Sequence, residues 1–195
     1  MTGSIGVLAS HAGIILLPWV IFLLVWGAMT FFSSKKIEVH GALGGNMANL
    51  LLLTVPMIFF ALPAAFILNA VVIPKSQVSQ GIGLAVAMIG VAIAVWARVV
   101  LGKNWSSDIS FKENQTLITG GPYATVRHPI YTGVILMVLG IAVYFGYIAG
   151  FIGLIISFVG ASLKLRGEEG LMSDHFPKEY GEYKKRTKAI IPYVY

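Results

Sequence analysis

Apolar residues in this chain occur in long blocks separated by short polar segments, rather than in alternation. The blocks cover residues 12–33, 47–73, 81–102, 129–145 and 146–165. A helix needs about 17–25 predominantly apolar residues to cross the hydrocarbon core of a bilayer, and the first three blocks meet this length easily. The pattern therefore predicts an all-α, polytopic integral membrane protein with about five transmembrane helices, the last two forming a helical hairpin.

Composition supports a membrane protein and excludes several kinds of chemistry. Hydrophobic residues make up 57% of the chain and charged residues 11%, whereas a soluble domain carries roughly 25% charged residues. There is no cysteine, which excludes disulfides, thiol catalysis and thiolate metal sites. The histidines lack ligand spacing, so we expect no metal. Lys35 and Lys36 follow the first block, which indicates a retained span rather than a cleavable signal.

The basic residues predict the orientation. If the N-terminus lies outside, 13 of the 14 Lys and Arg residues fall on the inner side, and only Lys75 falls outside. This asymmetry is typical of cytoplasmic loops. We therefore expect a single domain, 1–195, with its polar chemistry in the cytoplasmic regions 103–128 and 166–195. The net charge of +6 belongs to this flank and does not indicate nucleic-acid binding.

Two further segments carry structural signals. Residues 166–188 have the pattern of an amphipathic helix lying on the membrane surface, interrupted at Pro177. Its end, residues 184–188, is rich in Lys and Arg and predicts a polybasic patch against anionic lipid. Gly146 and Gly150 form a pair of small residues suited to close helix contact in lipid.

Residues 120–133 concentrate side chains that can do chemistry. Tyr123, Arg127, His128 and Tyr131 lie within nine residues, and Pro129 suits the first position of a helix. One interpretation is purely structural: a Gly-Gly-Pro turn, a helix start and a basic flank. The other is functional, because the N-terminus of a helix attracts anions and Arg127 would strengthen such a site.

The second chemical feature is the pair Glu168 and Glu169 beyond the last span. Either the helix continues and both carboxylates face water, or one of them pairs with a cation. Arg127, Lys164, Arg166 and a cationic ligand are the candidates for that pairing. If the helix persists, Lys164 and Glu168 share a face, because they are four residues apart.

The polar loop before residues 120–133 contains Trp105, which has two interpretations. It is either an anchor at the membrane interface or part of a loop that closes over an adenosine. The sequence does not choose between them.

The segment from Leu117 to Tyr123, the Arg-His-Pro-x-Tyr-x-Gly box at 127–133 and the later Glu168-Glu169 together carry a resemblance. Over about residues 100–190 the chain resembles the isoprenylcysteine carboxyl methyltransferase family, which is related to the phospholipid N-methyltransferases. The resemblance implies a membrane-embedded methyltransferase that uses S-adenosyl-L-methionine and releases S-adenosyl-L-homocysteine. The compact chain is similar to prokaryotic members, which implies the plasma membrane.

The resemblance also implies a set of site residues. Those that would hold the cofactor are Gln115, Thr116, Leu117, Ile118, Tyr123, His128, Pro129, Ile130, Tyr131 and Glu168. Family members have an arginine four residues before that glutamate, which handles the substrate. This chain has Lys164 there and Arg166 two residues later. We therefore name Lys164, Arg166 and Arg127 as the candidate catalytic residues.

The implied reaction is methyl transfer to a lipid-attached acceptor that enters from the bilayer at the cytoplasmic face. The expected acceptor is the α-carboxylate of an isoprenylcysteine-like substrate. The alternatives are an N-methyltransferase acting on phosphatidylethanolamine, a NADPH-dependent membrane reductase of the sterol type, and a membrane scaffold without activity.

Overall fold

The computed structural model describes residues 13–29, 36–39, 70–106, 108–112 and 114–195. In chain order its elements are α1 (Leu17–Met29), β1 (Lys36–Val39), α2 (Gln77–Leu101), β2 (Ser110–Lys112), α3 (Pro129–Phe145), α4 (Ile148–His175) and α5 (Pro177–Arg186). Short 3-10 turns occupy Gly102–Asn104 and Gly121–Ala124. The predicted second span, 47–73, lies almost entirely outside the described residues. The protein is mostly helical, as predicted.

Within the described residues, two helical segments are long and apolar enough to cross a membrane. They are Gln77–Asn104 and Ile148–His175, of 28 residues each, whereas α1 and α3 are apolar but shorter. The five-span count is therefore not established. Leu24 on α1, Ile89 on α2 and Ile155 on α4 are exposed to at least 56%. Large apolar side chains on outer faces suit contact with lipid.

The central helix of the described fold is α3, which packs most extensively against α2. Two glycine pairs bring these backbones together, Gly83 with Gly140 and Gly90 with Gly133. A Cβ atom added to Gly90 would lie 2.6 Å from the Gly133 carbonyl oxygen, and one added to Gly133 would lie 2.5 Å from that of Gly90. Seven residues separate the glycines on each helix, so both pairs lie on one face. Close approach of this kind is how helices associate in lipid.

The predicted hairpin is present, but Gly146 has a different role from the one predicted. It ends α3 with φ of 73°, in the left-handed region, and its carbonyl oxygen accepts a hydrogen bond of 2.8 Å from the Val72 amide. Gly146 is therefore a turn residue. Among the described residues, close helix contact through glycines is made between α2 and α3.

The hairpin's second helix is longer than its apolar segment. The predicted span ends at 165, whereas α4 continues to His175 and carries the acidic pair with it. The interruption predicted at Pro177 is confirmed, since α5 begins there. The surface location predicted for the tail is wrong for its aromatic face: Tyr180 and Tyr183 are only 3% and 2% exposed, so they pack inside the protein.

The sequence did not predict the short antiparallel ladder between β1 and β2. It pairs Lys36 with Lys112 and Val39 with Ser110, with an irregularity between them. The ladder joins the two polar loops, 34–46 and 103–128, at one end of the helices. The predicted topology requires both loops on one side, and their pairing is consistent with it.

Candidate functional site

The Arg-His-Pro box lies where a turn leads into α3. The 3-10 turn Gly121–Ala124 precedes it, and Pro129 is the first residue of the helix, where its missing N–H is not needed. The helix start has no side-chain cap, since His128 occupies the capping position without such a bond. The His128 ring instead lies nearly parallel to Tyr131, with centroids 5.6 Å apart.

Because α4 continues past the apolar segment, it places both glutamates beside this box. Glu168 accepts a hydrogen bond of 2.6 Å from the Tyr131 hydroxyl, and its second oxygen lies 3.6 Å from His128 Nδ1. Glu169 accepts a hydrogen bond of 2.7 Å from Arg127 Nε. The helix therefore continues, as one interpretation held, but the carboxylates turn toward the box rather than toward water. The pairing of a glutamate with Arg127, which the other interpretation predicted, is also present.

Glu169 joins three basic side chains from two parts of the chain, the box and α5. Besides Arg127, its oxygens lie 2.9 Å from Lys184 Nζ on α5 and 3.3 Å from His128 Nε2. Its side chain is 12% exposed and that of Arg127 is 10% exposed. Burial alone would raise the pKa of Glu169, but hydrogen bonds with His128, Lys184 and Arg127 hold it well below its usual value. Lys184 thus belongs to the site, not only to the predicted basic patch.

The same contacts set the charges on the other members of the cluster. Burial alone would lower the pKa of His128, but its hydrogen bonds and charge interactions with Glu168 and Glu169 outweigh burial and raise it. Burial would raise the pKa of Glu168, and the contact with His128 reverses this, so it is lowered. Near neutral pH both carboxylates are therefore ionised.

The end of the chain is held against the box by backbone hydrogen bonds. The amides of Arg127 and His128 donate to the carbonyl oxygens of Lys188 and Ala189, at 2.8 and 2.9 Å. The Arg127 guanidinium also donates to the Thr187 carbonyl oxygen. On α5, the Tyr183 hydroxyl donates to the carbonyl oxygen of Tyr123 at 2.6 Å. Residues 183–189 therefore pack directly against the box.

A cavity of about 340 Å³ lies between these elements. Most of the residues named from the resemblance line it: Gln115, Thr116, Leu117, Ile118, Tyr123, His128, Ile130, Tyr131 and Glu168. Arg127 and Lys164 also line it, and Lys164 is 4% exposed. Pro129 is buried at the helix start without lining the cavity, and Arg166 is an exposed residue away from it.

Several lining residues were not identified from the sequence. They come from the first span and the tail, and include Phe22, Trp26, Tyr180 and Tyr183. The polar loop after α2, for which a position over an adenosine was one of two interpretations, also lines the cavity through Asn104, Trp105 and Asp108. The spacing of Phe22 and Trp26, four residues apart on α1, gives no sign of a site, because any buried face of an apolar helix has it. The aromatics of α5 matched a membrane-surface pattern equally well.

The C-terminal ends of α1 and α2 are joined by a fully buried cation. Arg98 donates through Nη2 to the Met29 carbonyl oxygen at 2.7 Å and through Nη1 to that of Gly102 at 2.8 Å. These carbonyls lie at helix C-termini, where a positive charge is favourable. The guanidinium also lies over the Trp105 ring, 4.5 Å from its centroid. Arg98 thereby fixes Trp105 at the cavity.

Two polar features of the site bear on what it binds. The Oδ1 atom of Asn104 is buried without a hydrogen-bond partner among the described residues. Over that same part of the chain, no group of three or more His, Cys, Asp or Glu side chains is arranged to hold a metal ion.

Comparison with known proteins agrees with this arrangement. The family model described as phospholipid methyltransferase matches residues 78–179, which include α2, α3 and α4. The cobalt-zinc-cadmium resistance protein CzcN of Cupriavidus metallidurans is 33% identical over 56% of this chain and 49% of its own length. The protein YpbQ of Bacillus subtilis is 27% identical over 75% of this chain and 87% of its own.

Enzymes of the resembled family are also among the relatives. The protein-S-isoprenylcysteine O-methyltransferase of Schizosaccharomyces pombe is 27% identical over 60% of this chain and 51% of its own length. The chain thus spans about half the length of several of its curated relatives. The solved eukaryotic intramembrane Ras methyltransferase, an isoprenylcysteine carboxyl methyltransferase, has the same fold with a TM-score of 0.58. It is 21% identical, over 76% of this chain and 52% of that one.

The family model covers more than half of the chain, including the box and the acidic pair, and the fold is that of a solved relative. The chain belongs to the phospholipid methyltransferase family, and within it to the group that resembles the isoprenylcysteine carboxyl methyltransferases.

Proposed function

We propose that this protein transfers a methyl group from S-adenosyl-L-methionine to the carboxylate of a lipid-attached, isoprenylcysteine-like acceptor. One observation carries the proposal. The Arg-His-Pro box and the Glu168-Glu169 pair meet around one cavity, beside the point where α4 changes from apolar to charged residues. A site at that boundary suits a water-soluble donor and an acceptor with an apolar tail.

The residues of the cavity fit the proposed cofactor. Its volume of about 340 Å³ is within the range of small-molecule sites, roughly 300–1,000 Å³. The ionised Glu168 supplies a carboxylate for the ammonium group or the ribose hydroxyls. The rings of Tyr123 and Tyr131 supply aromatic faces, which stabilise a cation such as a sulfonium by about 0.5–2 kcal/mol. When bound, the cofactor would supply an electrophilic methyl group for the acceptor oxygen.

Lys164 is the residue that we assign to the acceptor. It lies in the cavity wall one helical turn before Glu168. A carboxylate acceptor is already ionised at neutral pH and needs no general base. It needs a cation to hold it in line with the methyl group, and such positioning supplies much of the catalysis in a single displacement. Arg166, exposed outside the cavity, has no such role.

The apolar part of the acceptor would approach between helices. Phe22 and Trp26 bring the first span into the cavity wall, so an apolar surface leads to the polar end of the site. The side of the membrane follows from the basic residues. We place the cavity at the cytoplasmic face of a multi-pass protein, with the N-terminus outside and the C-terminus in the cytoplasm.

A second candidate is methylation of an aminolipid such as phosphatidylethanolamine. The description of the matching family model favours it, and the ionised carboxylate of Glu168 in the cavity would take the proton that an amine must lose. The two reactions separate in one assay. Purified protein in lipid nanodiscs is given methyl-labelled donor with either a prenylcysteine analogue or phosphatidylethanolamine. We expect label in the prenylcysteine; label only in the aminolipid would establish the alternative.

The cofactor is tested by ligand-induced stabilisation, since a ligand that binds only the folded protein raises the melting temperature. We expect a rise with S-adenosyl-L-homocysteine and none with NADPH. Glu168→Gln should abolish the rise, whereas Glu182→Gln, an exposed glutamate on α5, should preserve it. A rise with NADPH alone would favour the reductase alternative. If neither ligand stabilises the protein, the enzyme proposal fails and a scaffold becomes the better account.

A further inference from the structure

A buried amide beside the cavity has one polar atom without a partner. Asn104, in the 3-10 turn after α2, lines the cavity and is only 8% exposed. Its Nδ2 atom lies 3.3 Å from Thr116 Oγ1 and 3.4 Å from the Thr116 carbonyl oxygen. Its Oδ1 atom has no partner among the described residues. A buried acceptor left without a hydrogen bond destabilises the fold. A ligand that supplied a donor would remove this free-energy penalty.

The chemistry of Thr116 determines which end of the amide is free. A backbone carbonyl only accepts hydrogen bonds, so the side of Asn104 that faces it carries the NH2 group. Exchanging the two ends would place two acceptors against each other. The unpartnered atom is therefore an oxygen, and the ligand group that meets it is a hydrogen-bond donor.

The surroundings of Asn104 differ from those of the charged cluster. Its neighbour Trp105 is held by Arg98 over its ring and by the edge of Trp26, whose centroid lies 6.1 Å away. Leu101 and Leu117 add apolar surface to the same cavity. A flat apolar ring that bears an N–H donor suits an aromatic and aliphatic wall with one isolated acceptor. The amino acid and ribose parts of the proposed cofactor suit the charged groups at Glu168 instead.

We propose that Asn104 Oδ1 accepts a hydrogen bond from the 6-amino group of the adenine ring. This inference rests on the proposed function and adds to it the residue that recognises the adenine base. The carbonyl oxygen of a 6-oxo purine in the same place would face Oδ1 as a second acceptor. The site therefore prefers adenine to hypoxanthine, since a buried polar group left unpaired discriminates strongly against the wrong ligand.

The experiment compares S-adenosyl-L-homocysteine with S-inosyl-L-homocysteine by calorimetry on the full-length protein in detergent. Wild type should bind the adenine compound at least tenfold more tightly. Asn104→Leu keeps the approximate shape of the side chain and removes the acceptor, so the ratio of the two affinities should fall to about one. Ser162→Ala is the matched control: its hydroxyl is also buried without a partner among the described residues, but Ser162 does not line the cavity.

The outcomes separate the inference from the function on which it rests. Equal affinity of wild type for the two compounds overturns the inference. The wild-type comparison therefore tests the inference even if Asn104→Leu does not fold. The same conclusion follows if Asn104→Leu keeps the wild-type preference, or if Ser162→Ala loses it. If wild type binds neither compound, the proposed function fails.

Discussion

Replacing Glu169 with glutamine should destabilise the protein much more than the same replacement at an exposed glutamate of α5. The substitution keeps the shape of the side chain and removes the negative charge that Arg127, Lys184 and His128 share. Arg127 is 10% exposed, so it would be left as a buried cation without its carboxylate. Removing one partner of a buried ion pair costs about 3–5 kcal/mol.

Two features of the structure reduce that figure. Glutamine retains one oxygen that accepts from Arg127, and a hydrogen bond to a charged group contributes about 1.5–3 kcal/mol. Lys184 is 41% exposed, so its ion pair with Glu169 contributes at most about 1 kcal/mol to stability. We therefore expect Glu169→Gln to lose about 2–4 kcal/mol of folding free energy. For a chain of this size that is a fall in melting temperature of roughly 5–15 °C.

The assay is thermal unfolding of the detergent-solubilised protein without ligand, with Glu182→Gln as the control. Glu182 also pairs with a lysine, Lys185, at 2.6 Å, but both side chains are more than 70% exposed. Exposed pairs contribute little, so the control should melt within about 1 °C of wild type. If the two variants melt together, Glu169 does not hold the tail and the box in place, and our account of the cluster is wrong.

Three further predictions concern the acceptor, the packing and the pH dependence. Lys164→Met should raise the apparent KM for a prenylcysteine acceptor at least tenfold without changing that for the donor, whereas Arg166→Met should change neither; equal effects would reject the assignment. Gly90→Ala should cost about 1–3 kcal/mol of stability because its Cβ would meet the α3 backbone, whereas Gly81→Ala, with open space around it, should cost nothing measurable in the same melting assay. The pKa of His128 is raised in the folded state, so its contribution is fully present below pH 6.5, the ordinary value, and is lost as the pH rises through the folded pKa. The melting temperature should therefore fall on the alkaline side, and His128→Asn should flatten that decline; an unchanged decline in the variant would show that another group titrates.

The sequence was sufficient to predict the hairpin, and to predict that the Arg-His-Pro box and the acidic pair lie close together. The apolar blocks located α3 and α4, and most of the residues that the resemblance named line the cavity. The choice between Lys164 and Arg166 was left open although helical geometry decides it. Once α4 continues to Glu168, Lys164 lies on the same face one turn earlier, whereas Arg166 is rotated by about 200° from Lys164. The missing fact was where the helix ends.

Other parts of the site could not be predicted because their patterns have more than one meaning. Phe22 and Trp26 on α1 are apolar residues in an apolar helix, and composition does not tell a lipid-facing side from a cavity-facing one. Tyr180 and Tyr183 give α5 an aromatic face that suits a membrane surface as well as a protein interior. The attachment of residues 187–189 to the box uses backbone groups, which leave no signal in side-chain identity.

The continuity of α4 would let one site serve the two proposed ligands, which differ in polarity. Lys164 ends the apolar part of the helix and Glu168 lies four residues further, which is about 6 Å along the axis. The residues that we propose for the acceptor and for the soluble donor are thus held at a fixed separation by helical hydrogen bonds, with no hinge between them. Glu169, one residue on, turns away from Glu168 by about 100° and fastens the helix to Arg127 and α5. The order of these side chains along one helix therefore sets the distance across which a methyl group would pass, and the ion-pair cluster fixes the helix relative to the box.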